Sequence, residues 1–127
     1  MSNAPCLTAA HVRYLLAIKR LYEDTGLYSS EIAKELKLSK PTVHNMMNVF
    51  LEKNFIYKEP QGPVYLTKHG MRVASVYEAY YYKLKDILFS DRITDPTAEP
   101  AICALLAGLS EENLVILAQE LELNTVT

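Results

Sequence analysis

The sequence predicts a mainly α-helical chain that carries a small β-wing. Three observations predict it. Three successive stretches repeat apolar residues at spacings of three and four, two β-rich runs, "FIYKE" and "VYLT", flank "PQGP", and a long helix-patterned stretch follows them.

The first helix is expected over about Thr8 to Asp24, capped by Thr8, with Val12, Leu15, Leu16, Ile18 and Leu21 turned inward and Gly26 placed to stop it. The second, roughly Ser30 to Leu36, is capped by Ser29 or Ser30 and carries Ile32, Ala33 and Leu36. "KLS" then turns the chain into "LSKPTVHNMMNVF", where Ser39 suits an N-cap and Pro41 sits where a helix needs no N–H. A third helix therefore runs from about Lys40 to Lys53. Its core stripe is Val43, Met46, Met47, Phe50 and Leu51, and His44, Asn45, Asn48 and Glu52 fall on the other side.

The Pro and Gly of "PQGP" make the β-rich runs a hairpin. Thr67 caps a fourth helix that reaches about Ser90, with Val73, Val76, Tyr77, Tyr80, Leu84 and Leu88 inward and Gly70 in its first turns, where its cost is small. "DRITDPTAEP", residues 91–100, reads as a linker. The segment 101–124 reads as two short helices, the second capped by Ser110. Both are too small to fold alone, so their apolar faces, Leu114 and Leu117 among them, are expected to be buried across a two-fold dimer.

With 127 residues, half of them apolar, the chain can bury a core. Cys6 and Cys103 lie far apart with no CxxC or Cys/His spacing, which suggests reduced thiols and no zinc knuckle or disulfide framework. No apolar run approaches the roughly 18 residues of a membrane span, and the N-terminus lacks the basic-then-apolar order of a signal peptide. The expectation is a cytoplasmic protein without a membrane partner. Net charge is −2, but residues 1–90 hold 12 Lys/Arg against 8 Asp/Glu, net +4, while 91–127 hold one Arg against 7 acids, net −6. A split of this kind lets one part meet phosphate while the other avoids it.

Helix, helix, tight turn, helix, hairpin and long helix is the order of a winged helix-turn-helix, here residues 8–90, with C-terminal dimerisation helices after it. In that fold the second helix of the turn enters the major groove and the wing lies along the backbone. The expected function is a sequence-specific transcriptional regulator, a repressor, binding double-stranded DNA as a homodimer. Its DNA-binding residues are expected to be Ser39, Lys40, Pro41, Thr42, His44, Asn45 and Asn48, with Lys58 and Gln61 on the wing. An asparagine pairs both amide functions with adenine, and a proline ring presses on a thymine methyl. No Ser/His/Asp set, phosphate-cradling glycine loop or converging carboxylate pair points to an enzyme.

"RYLLAIKRLYEDTG", "SSEIAKELKLSKPTVHNMMNVFLEKNFIYKE" and "VYLTKHGMRVA" resemble the DNA-binding half of the DtxR/MntR family of metal-dependent repressors, over about Val12 to Leu88. Its marks are the S-x-P-T-V of Ser39, Pro41, Thr42 and Val43 and the L-T-x-x-G of Leu66, Thr67 and Gly70, which also occurs in MarR-like winged helices. The resemblance implies that Ser39, Pro41 and Asn45 approach bases and that Thr42 and Lys40 hold phosphate. It also implies a divalent metal, Mn or Fe. The corresponding ligand positions fall on Arg13, Leu16, Ala79, Leu106 and Ala107, which bind no metal, and Cys103 alone matches. The expectation is thus no cofactor, and the family's SH3-like domain does not follow in this sequence.

Other readings stand beside these. His11, Glu78 and Cys103 form a different metal site if three helices bring them together. Tyr77, Tyr80, Tyr81 and Tyr82 line an effector pocket or simply pack. The alternatives for the whole chain are a MarR-like ligand-responsive regulator and a winged helix used only for protein association.

Overall fold

The computed structural model describes residues 7–88 and 98–125. Helix α1 spans Ala9–Leu21. The Oγ1 of Thr8 accepts the His11 N–H at 3.1 Å, and the Nδ1 of His11 accepts the Thr8 N–H at 3.1 Å. This is a capping box in which an imidazole takes the place of the usual Glu or Gln. Tyr14, Leu15, Leu16, Ala17 and Ile18 are all buried, so the middle turn of α1 is enclosed on every side, while Ala10 and Arg20 near its ends are exposed. The helix stops at Leu21, short of the expected Asp24, because the next residues are committed elsewhere. Gly26 takes φ +91°, its N–H donates to the Glu23 carbonyl, and Leu27 exchanges both backbone hydrogen bonds with Val64 at 2.9 and 2.8 Å.

Helix α2, Ser29–Leu36, is capped by Tyr28 rather than by either serine. The Glu31 carboxylate accepts the Tyr28 N–H at 2.9 Å. At its other end Lys37 adopts the left-handed conformation, φ 55° and ψ 46°. The Leu38 N–H returns to the Ala33 carbonyl, and the Lys37 N–H to that of Lys34. These are the bonds of a Schellman motif, a place usually held by glycine.

Helix α3, Lys40–Glu52, begins as expected. Ser39 Oγ accepts the Thr42 N–H at 3.3 Å and lies 2.7 Å from the Thr42 hydroxyl, with Pro41 in the first turn. Its core stripe is narrower than the sequence suggested: Val43, Met47 and Phe50 are buried, Met46 is half-buried and Leu51 is exposed. Phe50 meets Tyr14 edge-on at 6.2 Å and Phe55 edge-on at 5.5 Å, which ties α3 to α1 and to the entry of the wing.

Strands β1, Ile56–Lys58, and β2, Val64–Leu66, pair antiparallel with Tyr57 opposite Tyr65. Thr67 then caps helix α4, Lys68–Leu88, its hydroxyl accepting the Gly70 N–H at 2.9 Å. The buried line of α4 is Ala74, Tyr77, Tyr81 and Leu84. Val76 and Leu88, expected inside, are exposed, and Val73 and Tyr80 are half-buried. Helix α5, Ala98–Gly108, starts within the stretch expected to be a linker, with Pro100 in its first turn, where an N–H has no helical partner to lose. Residues 91–97 of that linker, Cys6 and the expected helix end at Ser90 lie outside the described residues. Helix α6 is Glu111–Thr125, with Ser110 Oγ accepting the Asn113 N–H at 3.2 Å.

The chain divides into two compact units, Tyr14–Val76 and a second made of the described parts of Met1–Arg13 and Tyr77–Thr127. The first contains the helix-turn-helix and the wing: the fold is a winged helix, mainly α with a two-stranded sheet. The core of the second includes Leu7, Val12, Tyr77, Tyr81, Leu84, Ile102, Cys103, Leu106 and Leu114. Leu114, expected at a dimer surface, is therefore packed inside its own chain. No helix among the described residues is long and apolar enough to cross a membrane.

Candidate nucleic-acid interface

The core of unit Tyr14–Val76 fixes which side of α3 is left to solvent. Val43, Met47 and Phe50 point inward, and at 3.6 residues per turn Pro41, Asn45 and Asn48 line up on the opposite side with His44 beside them. Lys40 and Thr42 flank this line in the first turn. Ser39, Lys40, Pro41, Thr42, His44, Asn45 and Asn48 are all exposed, as are Lys58 and Gln61 on the wing. The line ends at the exposed Glu52, so the part of this face free of carboxylates is the N-terminal half of the helix.

The Ser39 hydroxyl is engaged with Thr42, so it caps the helix as expected. The Thr42 hydroxyl shares this contact, and Lys40, His44, Asn45 and Asn48 are outward polar side chains beside the amides near the helix start.

The charge is arranged to suit an anion. Unit Tyr14–Val76 holds 9 Lys/Arg against 6 Asp/Glu, net +3. Lys34 and Lys37, both exposed, stand just before α3 and were absent from the expected set. The sequence signal for Lys37 is its place in the "KLS" turn, just before α3. Its left-handed backbone costs an L-residue about 1–2 kcal/mol, and glycine would remove that cost. Gln61 repeats the situation at the wing tip. Gly62 N–H donates to the Glu59 carbonyl at 2.9 Å, Pro60 holds the second turn position and Gln61 the third, with φ 57°. That third position favours glycine or asparagine.

Among the described residues no three His, Cys, Asp or Glu side chains are grouped to hold a metal ion, so His11, Glu78 and Cys103 do not converge. His11 caps α1, and Cys103 is buried. Tyr77 and Tyr81 are core residues of their unit, and Tyr81 meets the exposed Tyr82 edge-on at 5.3 Å.

A protein-family model, that of the MarR family, matches residues 7–63. Among solved structures, the hypothetical protein SSo2273 from Sulfolobus solfataricus is similar with a TM-score of 0.63 and 25% identity, over 91% of this chain and 89% of that one. MepR, a transcription regulator of the Staphylococcus aureus multidrug efflux pump MepA, aligns with a TM-score of 0.43 and 21% identity, over 94% and 77%. No curated protein matches the sequence.

The family match overturns the DtxR/MntR resemblance, and with it the reason to look for an Mn or Fe site. The motifs that carried that resemblance have general tasks in a winged helix. Ser39 and Pro41 start α3, Thr67 caps α4, and Gly70 lets α4 approach the backbone of Phe55. From α1 through the first strand of the wing, the chain is similar to the MarR family.

Proposed function

We propose that the chain is a MarR-like winged-helix regulator that binds duplex DNA as a homodimer in the cytoplasm and represses transcription. The observation that carries this reading is the exposed face of α3. Pro41, Asn45 and Asn48 lie opposite a buried stripe, Lys40 and Lys37 stand at the helix start, and the unit that carries them is net positive. Lys40, Lys37 and Lys58 hold phosphates, Asn45 and Pro41 reach base edges, and Gln61 brings the wing tip to the backbone. The MarR-like alternative of the sequence reading becomes the main one.

Dimerisation is supported by apolar side chains that the chain leaves in water. Tyr82, Ile87 and Leu88 on α4, Leu105 on α5 and Val115 and Ile116 on α6 are exposed. A second copy that covered them would also place two α3 helices on one palindromic site.

The test is retention of genomic duplex fragments as salt is raised. Each phosphate neutralised contributes a log–log slope of about −0.9, so the affinity of a domain using several lysines falls steeply. Binding that ignores salt, or no retained fragment at low salt, contradicts the reading.

A further inference from the structure

The outward face of the wing carries aromatic rings that neither the core nor the α3 surface uses. Tyr57 and Tyr65 are cross-strand partners whose rings stack at 5.0 Å with 15° between their planes. Leu27 extends the sheet by pairing with Val64, so strand alternation sets Gly26 and Tyr28 on the side of Tyr65. The absent side chain of Gly26 is what makes room for the Tyr65 ring: a Cβ there would stand 3.0 Å from Tyr65 Cε1 and 2.7 Å from Pro63 Cβ. Tyr28 and Tyr57 remain 54% and 50% exposed.

A cross-strand aromatic pair stabilises a hairpin by about 0.2–1 kcal/mol, which accounts for Tyr57 facing Tyr65. It does not account for Tyr28, or for rings left half in water. The surrounding charge is more informative. Glu59 follows Tyr57 by two residues, which alternation sets on the same side of the pleat, and the exposed Glu23 and Asp24 stand just before Gly26 in the chain. Lys58 alternates to the other side of the pleat, opposite the buried Val64. Ring faces are electron-rich and the carboxylates add negative charge, so the face suits a cation, whereas phosphates would meet like charge.

We propose that this face is a docking surface for an arginine-bearing segment of a partner protein, with a guanidinium lying on the outer face of the Tyr57 ring, the one not stacked on Tyr65, and pairing with the Glu59 carboxylate. Arginine fits better than lysine because its planar head stacks on aromatic rings while its fork meets a carboxylate. The proposal does not depend on DNA binding.

The test is an NMR titration of the full chain with the probe peptide acetyl-Gly-Arg-Gly-Arg-Gly-amide, beside the same peptide with glutamines. The arginine peptide should give saturable shifts at the Tyr57 and Tyr65 rings, with ring-current shifts of its own side-chain protons, and the glutamine peptide should give neither. Tyr57→Val and Glu59→Gln should each weaken the arginine peptide about two- to fivefold, the range of an exposed cation–π contact, with the Tyr57–Tyr65 strand register retained in the amide spectrum of Glu59→Gln. Equal shifts from the two peptides would overturn the proposal, as would arginine binding that both variants leave unchanged. So would a Tyr57→Val variant that loses duplex DNA affinity and keeps the peptide, since the face would then belong to the nucleic-acid surface.

Discussion

Gly70 in the first turn of α4 lies against the backbone of Phe55, so close that a Cβ would overlap the Phe55 carbonyl oxygen and stand 2.6 Å from its carbon. An exposed helical Gly→Ala exchange ordinarily stabilises by about 1 kcal/mol. Here the sign should reverse, because the neighbour is backbone and cannot move aside. Gly70→Ala should cost about 2–3 kcal/mol, read as a lowered thermal midpoint. An unchanged or raised midpoint would show that α4 does not dock there.

Lys37 gives a second test in which stability and binding move in opposite directions. Lys37→Gly relieves a left-handed lysine at the end of α2 and should raise stability by about 0.5–1 kcal/mol. It should also weaken duplex DNA on every sequence and reduce the salt slope by about 0.9. A variant that is more stable and binds equally well would remove Lys37 from the phosphate contacts.

The proposed dimer is tested on α6 by comparing neighbours. Val115 and Ile116 are exposed, whereas Leu114 is buried in its own chain. Ile116→Asp or Val115→Asp should therefore give a folded monomer in sedimentation. Leu114→Asp should unfold its unit, because it places a charge in a core.

Tyr65 should make the wing sensitive to alkali. Burial pushes its phenol above 10.0, with Glu59, Tyr57, Tyr28 and Tyr22 adding to the effect. The neutral phenol's contribution is therefore full below pH 10.0 and is lost as pH rises through the higher folded value. Tyr65→Phe should flatten the fall in the urea midpoint above that pH, and an unaltered alkaline fall would assign it to other groups.

The order of elements was legible because each helix start carries its own chemistry: Thr8, Ser39, Thr67 and Ser110 cap as their positions suggest. The start of α2 was not, since Tyr28 contributes only its backbone and the capping oxygen comes from Glu31. Periodicity found the buried faces but made them too wide, placing Leu51, Val76 and Leu88 inside, because spacing alone does not say how far a neighbouring element reaches. The exposed face of α3 follows from the same spacing. The left-handed backbones of Lys37 and Gln61 did not, because such an angle leaves a mark in the sequence only where glycine holds it. The family was misjudged because residues that build any winged helix were taken as marks of one lineage.

The central claim is that the exposed face of α3 reads duplex DNA, and the most direct test compares Asn45→Ala with Lys40→Ala on a footprinted site and on versions altered at single base pairs. Asn45→Ala should lose about 1–3 kcal/mol on the intact site and lose discrimination at one position in each half-site, while Lys40→Ala should weaken all versions alike and lower the salt slope. If both variants bind every version as tightly as the unaltered chain, the face of α3 does not read DNA.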